Sequence, residues 1–176
     1  RRTMQLIRGL ACGVLLACAP DPSRIEEIAP VELSALAPGD GAFLTILPIW
    51  ASWCKPCLDE LKALGGQSLD SNDSTLRVIA LNVDHPEQSA TARRMLAEVA
   101  PDLVSLYHED GATAAARKMV PNWDGALPLA IVRFANTRRS FAIYGARPAA
   151  FWTEYIRSAT QAATAGPRGS RTAATE

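Results

Sequence analysis

A chain of 176 residues has room for one domain with a buried core and little more. At 48% apolar and 20% charged residues, its composition excludes wholesale disorder and a membrane-embedded body. Its 18 Lys/Arg and 18 Asp/Glu cancel, so nothing in the charge balance favours nucleic acid, whose phosphates call for a basic face.

Met4 reads as the true start, with Arg1 to Thr3 upstream of it. Arg8 supplies a positive flank and Gly9 to Ala17 a short apolar run, the pattern of an export signal over residues 1–17. The run is too short for a bilayer span, which takes about 20 apolar residues. It ends in Leu15-Leu16-Ala17-Cys18, which resembles the bacterial lipobox, whose Cys is acylated and becomes the mature N-terminus. Cys18 is therefore the expected lipidation site, and two or more acyl chains would anchor the protein at a membrane on the periplasmic side of the cell envelope. A plain secretory signal with an incidental Cys is the alternative. Loss of Arg1, Arg2 and Arg8 with the signal leaves 15 basic against 18 acidic residues, about −3. With Cys12 also removed and Cys18 acylated, only Cys54 and Cys57 remain as thiols, in a compartment where disulfides persist.

Pro20, Pro22 and Pro30 mark residues 18–30 as a tether to a domain over residues 31–160. Val31 to Leu36 suggests a short strand or edge segment, and Pro38-Gly39-Asp40-Gly41 a turn. Ala42 to Trp50 is an apolar run of strand length. Cys54 to Leu64 reads as a helix with Leu58, Leu61 and Leu64 on one face, ended by Gly65-Gly66 and followed by a polar loop from Gln67 to Ser74. Leu76 to Val83 is a second buried strand, so the three elements make a βαβ unit with parallel pairing. Ser89 to Val99 is a helix, Leu103 to Tyr107 a short strand and Ala112 to Met119 another helix. Leu129 to Phe134 and Phe141 to Tyr144, flanking a turn at Ala135-Asn136-Thr137, should pair as an antiparallel hairpin. Pro148 opens a last helix with Phe151, Trp152, Tyr155 and Ile156 on one face. Residues 161–176 lack a core-forming pattern and read as a disordered tail. No internal repeat is present.

The run Trp50-Ala51-Ser52-Trp53-Cys54-Lys55-Pro56-Cys57 sets two thiols one helical turn apart where strand gives way to helix. A bond across three residues closes too small a loop to stabilise much, so the pair is placed to react rather than to staple. The alternative is half a zinc site. Structural zinc needs four ligands, and the remaining candidates, His85 and His108, lack paired spacing. No metal is expected.

At a strand-to-helix junction, Cys54-Lys55-Pro56-Cys57 resembles the thioredoxin superfamily, and the longer run from Trp50 is similar to its membrane-anchored TlpA/ResA-type branch. The resemblance covers about residues 31–160. It extends to Glu60, six residues after the first Cys, and to Leu127-Pro128 ahead of an apolar strand, which matches the family's cis-proline. The fold it implies is α/β and thioredoxin-like, a central mixed sheet flanked by helices. A helix and strand between Asp84 and Gly111 fit the insertion typical of that branch.

The resemblance implies a thiol–disulfide oxidoreductase without a cofactor beyond the Cys54–Cys57 disulfide itself. A thiol at a helix N-terminus can fall from about 8.5 into the range of about 3.5–7.5, so Cys54 is the expected nucleophile and Cys57 the resolving thiol. Glu60 would relay protons to Cys57. Trp53, Lys55, Pro56, Leu127 and Pro128 would meet the substrate, while Trp50 is expected in the core. The implied partners are protein thiol and disulfide clients, apocytochrome c being one kind common in that branch, and an upstream membrane electron donor. An oxidant or isomerase on the same fold, a thiol-based metal or partner carrier and, more weakly, a peroxiredoxin are the alternatives. Two departures stand out: Pro48 interrupts a central strand, and Lys62 lies near where the family often has a helix-kinking proline. His85, Trp123 and Asp124 read as ordinary loop residues.

Overall fold

The computed structural model describes residues 24–29, 43–70, 76–107 and 112–164. Its strands are β1 (Ile25–Ile28), β2 (Leu44–Trp50), β3 (Leu76–Asn82), β4 (Val104–Leu106), β5 (Leu129–Phe134) and β6 (Ser140–Tyr144). The helices are α1 (Lys55–Asp70), α2 (Ser89–Val99), α3 (Thr113–Met119) and α4 (Ala149–Thr164), with a single 3-10 turn at Pro86–Gln88. The strands form one mixed sheet in the order β1-β6-β5-β2-β3-β4. β2 runs parallel to β3 and β3 to β4, whereas β5 lies antiparallel to both β2 and β6.

Every residue of β2 is buried, because the strand is central and both sheet faces are covered. Alternation divides its side chains between two cores. Leu44, Ile46 and Trp50 join Leu61 and Leu64 of α1, Leu96 of α2 and Trp152 and Ile156 of α4. Leu47 and Ile49 join Ala116 of α3, Val120 and Trp123 on the opposite face. The helix and strand expected between Asp84 and Gly111 are α2 and β4, with β4 at the sheet edge.

Pro48 sits in β2 without breaking it. Pairing with β3 lapses at Leu47 and Pro48 and resumes at Ile49 with the register unchanged, while pairing with β5 is continuous. A missing N–H therefore interrupts one ladder only, with no inserted residue.

Four expectations need correction or placement. Residues 25–28 of the supposed tether form β1, which pairs with β6 at the sheet edge, and Arg139 of the loop before β6 donates two bonds to Glu27 at 2.9 and 2.8 Å. The helix does not stop at Gly65-Gly66: α1 continues to Asp70, taking the start of the expected loop into the helix. A Cβ at Gly65 would stand 3.1 Å from the Ala100 Cβ, so the missing side chain admits the chain following α2 rather than ending α1. The tail expected from Gln161 is also helical at first, since α4 reaches Thr164. The signal over residues 1–17, Cys18, the strand at Val31 to Leu36, the turn at 38–41 and His108 lie outside the described residues.

A Cβ at Gly66 would meet nothing within 4 Å. Gly66→Ala is thus expected to raise stability by about 0.5–1 kcal/mol in urea unfolding, the ordinary gain in a helix interior. Gly65→Ala should fall short of that gain, because Ala100 must give way.

Candidate active site

The sheet register brings four segments to one end. Trp50, the last residue of β2, lies beside Asn82 of β3. Ile49 lies beside Leu129 of β5, and Leu129 beside Tyr144 of β6. The turn into α1, the exit of β3, the entry to β5 and the exit of β6 therefore share that edge.

The turn into α1 is locked by backbone bonds. The Cys54 N–H donates to the Ala51 carbonyl at 3.0 Å, and the Cys54 carbonyl accepts from Cys57 at 3.0 Å and Leu58 at 3.3 Å. Cys54 thus caps the helix, where unpaired N–H groups and the positive dipole end favour a thiolate. Pro56 falls in the first turn, where its missing N–H costs nothing. Cys54 and Cys57 are joined as a disulfide with their Cα atoms 5.3 Å apart. Both are buried, Cys57 the deeper at 1% exposure against 5%.

The predicted surroundings divide into rim and floor. Trp53 is 66% exposed beside the pair, and Lys55 and Pro56 are exposed with it. The Leu127–Pro128 peptide is cis. Leu127 packs, half-buried, against the core cluster that holds both cysteines, and the buried Pro128 accepts the Gly145 N–H at 2.9 Å. Trp50 is fully buried, its indole donating to Ser105 Oγ at 3.1 Å. Lys62 is exposed on an unbroken α1. His85 is exposed, its ring 3.8 Å from the Glu87 carboxylate. Among the described residues no cluster of three or more His, Cys, Asp or Glu is placed to hold a metal ion.

Glu60 lies in the buried stripe of α1 with Cys57, Leu61 and Leu64, at 3% exposure. The Trp152 indole donates to Glu60 Oε1 at 3.1 Å, and the Arg147 backbone N–H donates as well. Burial outweighs these bonds and the nearby Arg147 charge, and pushes the carboxyl up to about 7.

Three features are not evident from the sequence alone. Asp84, at the exit of β3, is buried; its Oδ2 accepts from the Ser52 N–H at 2.7 Å and from Asn82 Nδ2 at 2.9 Å. The legible signal is Asn82 directly after the apolar run Val78 to Leu81, a polar group that needs a partner when buried. Trp152 reads as part of an apolar face, yet a buried indole N–H also calls for an acceptor, and Glu60 supplies it. Trp123 donates to the Ala126 carbonyl at 2.8 Å and Asp124 accepts from the Ala126 N–H at 2.9 Å, which braces the loop entering Leu127-Pro128.

The architecture is that of the thioredoxin-like proteins. Solved structures with which it shares this fold include a thioredoxin-related protein from Neisseria meningitidis serogroup B (19% identity, TM-score 0.57, covering 69% of this chain and 87% of that one). Another is a protein assigned as thiol:disulfide interchange protein DsbE from Chlorobium tepidum (22% identity, TM-score 0.57, 81% and 95% coverage). StoA from Bacillus subtilis is a third (14% identity, TM-score 0.53, 78% and 97% coverage). No protein-family model and no curated protein matches the chain.

Because the Glu60 carboxyl is raised from 4.5 to about 7, the folded state holds a proton that the unfolded chain releases. Its contribution to stability is therefore present at low pH and lost as pH rises through that window. Glu60→Gln should remove this decline, making the variant more stable than the wild type above pH 7 by on the order of 3 kcal/mol, with little difference near pH 4. Urea unfolding at pH 4 and pH 8 checks it.

Proposed function

We propose that this protein is a thiol–disulfide oxidoreductase that reduces disulfides in exported client proteins. The observation that carries the reading is the Cys54–Cys57 disulfide at the first turn of α1, with Cys54 as the helix cap. In the reduced protein, the Cys54 thiolate attacks one sulfur of a client disulfide. That bond breaks, the far client sulfur leaves as a thiolate, and a mixed disulfide forms on Cys54. Cys57, losing its proton to Glu60, then attacks Cys54 Sγ. The enzyme ends as the Cys54–Cys57 disulfide and the client as two thiols, so two electrons pass from protein to client.

Glu60 suits the proton step because its carboxyl, pushed to about 7, exchanges a proton near neutral pH. Trp53, Lys55 and Pro56 offer an exposed rim for a polypeptide client, and the half-buried Leu127, packed against the cluster that holds the cysteines, precedes the cis Pro128. Each cycle leaves the pair oxidised, so an upstream electron donor at the membrane must reduce it again. We place the protein at the periplasmic side of a membrane, held by lipid on Cys18 after removal of the signal. Maturation of c-type cytochromes, in which apocytochrome thiols must be kept reduced, is a setting that fits. StoA and the DsbE-type protein share the fold and support the reading.

Two outcomes are expected. The wild type catalyses dithiol-dependent insulin reduction and Cys54→Ser abolishes it, while Cys57→Ser accumulates a mixed disulfide. Retained turnover in Cys54→Ser rules the mechanism out. In cells, Cys18→Ser should move the protein from the membrane fraction to the soluble one; a variant that stays in the membrane refutes the anchor.

A further inference from the structure

Asp84 has no part in the mechanism above, yet it stands at the same edge of the sheet. At 5% exposure it is one of the few buried charged residues among those described. Its Oδ2 accepts two N–H donors, from Ser52 at 2.7 Å and from Asn82 at 2.9 Å. Its own N–H returns to Asn82 Oδ1 at 3.2 Å. The second oxygen, Oδ1, is buried with no hydrogen-bond partner among the described residues. A buried carboxylate with one oxygen unsatisfied keeps its charge poorly compensated, a costly arrangement for a purely structural brace.

We propose that Asp84 is a positioning residue of the sulfur pair: bonded to Ser52, it fixes the turn that carries Cys54 and holds a negative charge close enough to act on it, which favours the disulfide over the thiolate. The inference rests on the redox reading of Cys54 and Cys57. Ser52 N is 2.7 Å from the carboxylate and Cys54 follows two residues later. Even an extended backbone therefore keeps the charge within about 12 Å of the Cys54 Cα. At that range and an effective dielectric of about 20, a unit charge moves a thiol by about one pH unit.

Other charged groups lie on the elements that carry the pair and Asp84. Lys55 follows Cys54, and Glu60 lies below it on α1. Arg93 of α2 stacks on the Tyr107 ring at 4.1 Å. The Tyr107 hydroxyl, beyond β4, is pushed up by burial, and the Asp84 charge adds to the rise, so hydroxyl and carboxylate share one neighbourhood. His85 and Glu87 continue the chain past Asp84 into solvent.

Two variants separate charge from scaffolding. Asp84→Asn keeps an oxygen that can accept from Ser52 and removes the charge. Asn82→Ala keeps the charge and removes one of its donors. The readouts are the pH midpoint of Cys54 alkylation by iodoacetamide in the reduced protein, assigned by mass spectrometry, and the pair's equilibrium with glutathione.

Asp84→Asn is expected to lower the midpoint by about one unit and to shift the equilibrium toward the reduced pair by up to tenfold, about 30 mV in the oxidising direction. Asn82→Ala is expected to raise the midpoint. A scaffold that merely loosens would move both variants in the same direction, and that result overturns the proposal. So does an unchanged midpoint in Asp84→Asn. If Asp84→Asn does not fold, Asn82→Ala decides alone, since a midpoint at or below the wild type contradicts the charge. A wild type that fails to reduce insulin while the two midpoints move apart as described removes the enzymatic reading and leaves this one standing.

Discussion

The Ser52 N–H, held by the Asp84 carboxylate at 2.7 Å, ties the end of β2 to the end of β3 where the chain turns into α1. Beside it the Val83 N–H bonds the Trp50 carbonyl at 2.9 Å, extending the parallel pairing beyond the strands. With the turn fixed from both sides, the helix is capped at one defined residue, and that residue is Cys54. A shift of one position would remove the sulfur from the unpaired N–H groups that favour its thiolate. The βαβ unit thus acts as a mount whose accuracy sets the chemistry.

The mount works against the thiolate as well as for it. The helix N-terminus draws negative charge toward Cys54, while Glu60 and Asp84 place carboxyl groups in the low-dielectric ground around the pair. Glu60 meets its environment partly by holding its proton, since burial lifts it to about 7. Asp84, also buried, accepts a backbone and an amide donor on one oxygen. Glu60 is thereby suited to exchanging a proton near neutral pH. Natural domains tolerate such costs at sites where the groups are used.

Much of this is legible in the sequence where apolar periodicity runs unbroken. The helix over Ser89–Val99 and the strand over Leu129–Phe134 match their expected bounds, because each carries a clear period and a proline or turn at its margin. The end of α1 is not legible. Gly65-Gly66 has the look of a stop, but the cause of Gly65 is the close approach of Ala100, a contact far along the chain. β1 is hidden for the same reason: Ile25–Ile28 alternates too briefly to announce a strand, and its partner β6 is more than a hundred residues away. At the site, the Cys pair, Glu60 and Leu127–Pro128 can be picked out by motif. Asp84 cannot, since its importance lies in one backbone bond to Ser52.

The central claim is that the pair donates electrons, and the reduction potential of wild-type Cys54–Cys57 in glutathione or thioredoxin buffers tests it most directly. Cys-x-x-Cys proteins run from about −270 mV for thioredoxin to about −120 mV for DsbA, some five decades in equilibrium constant. Two buried acids around a thiolate predict a value toward the thioredoxin end. A potential near that of DsbA would contradict the account and reverse the direction of electron flow.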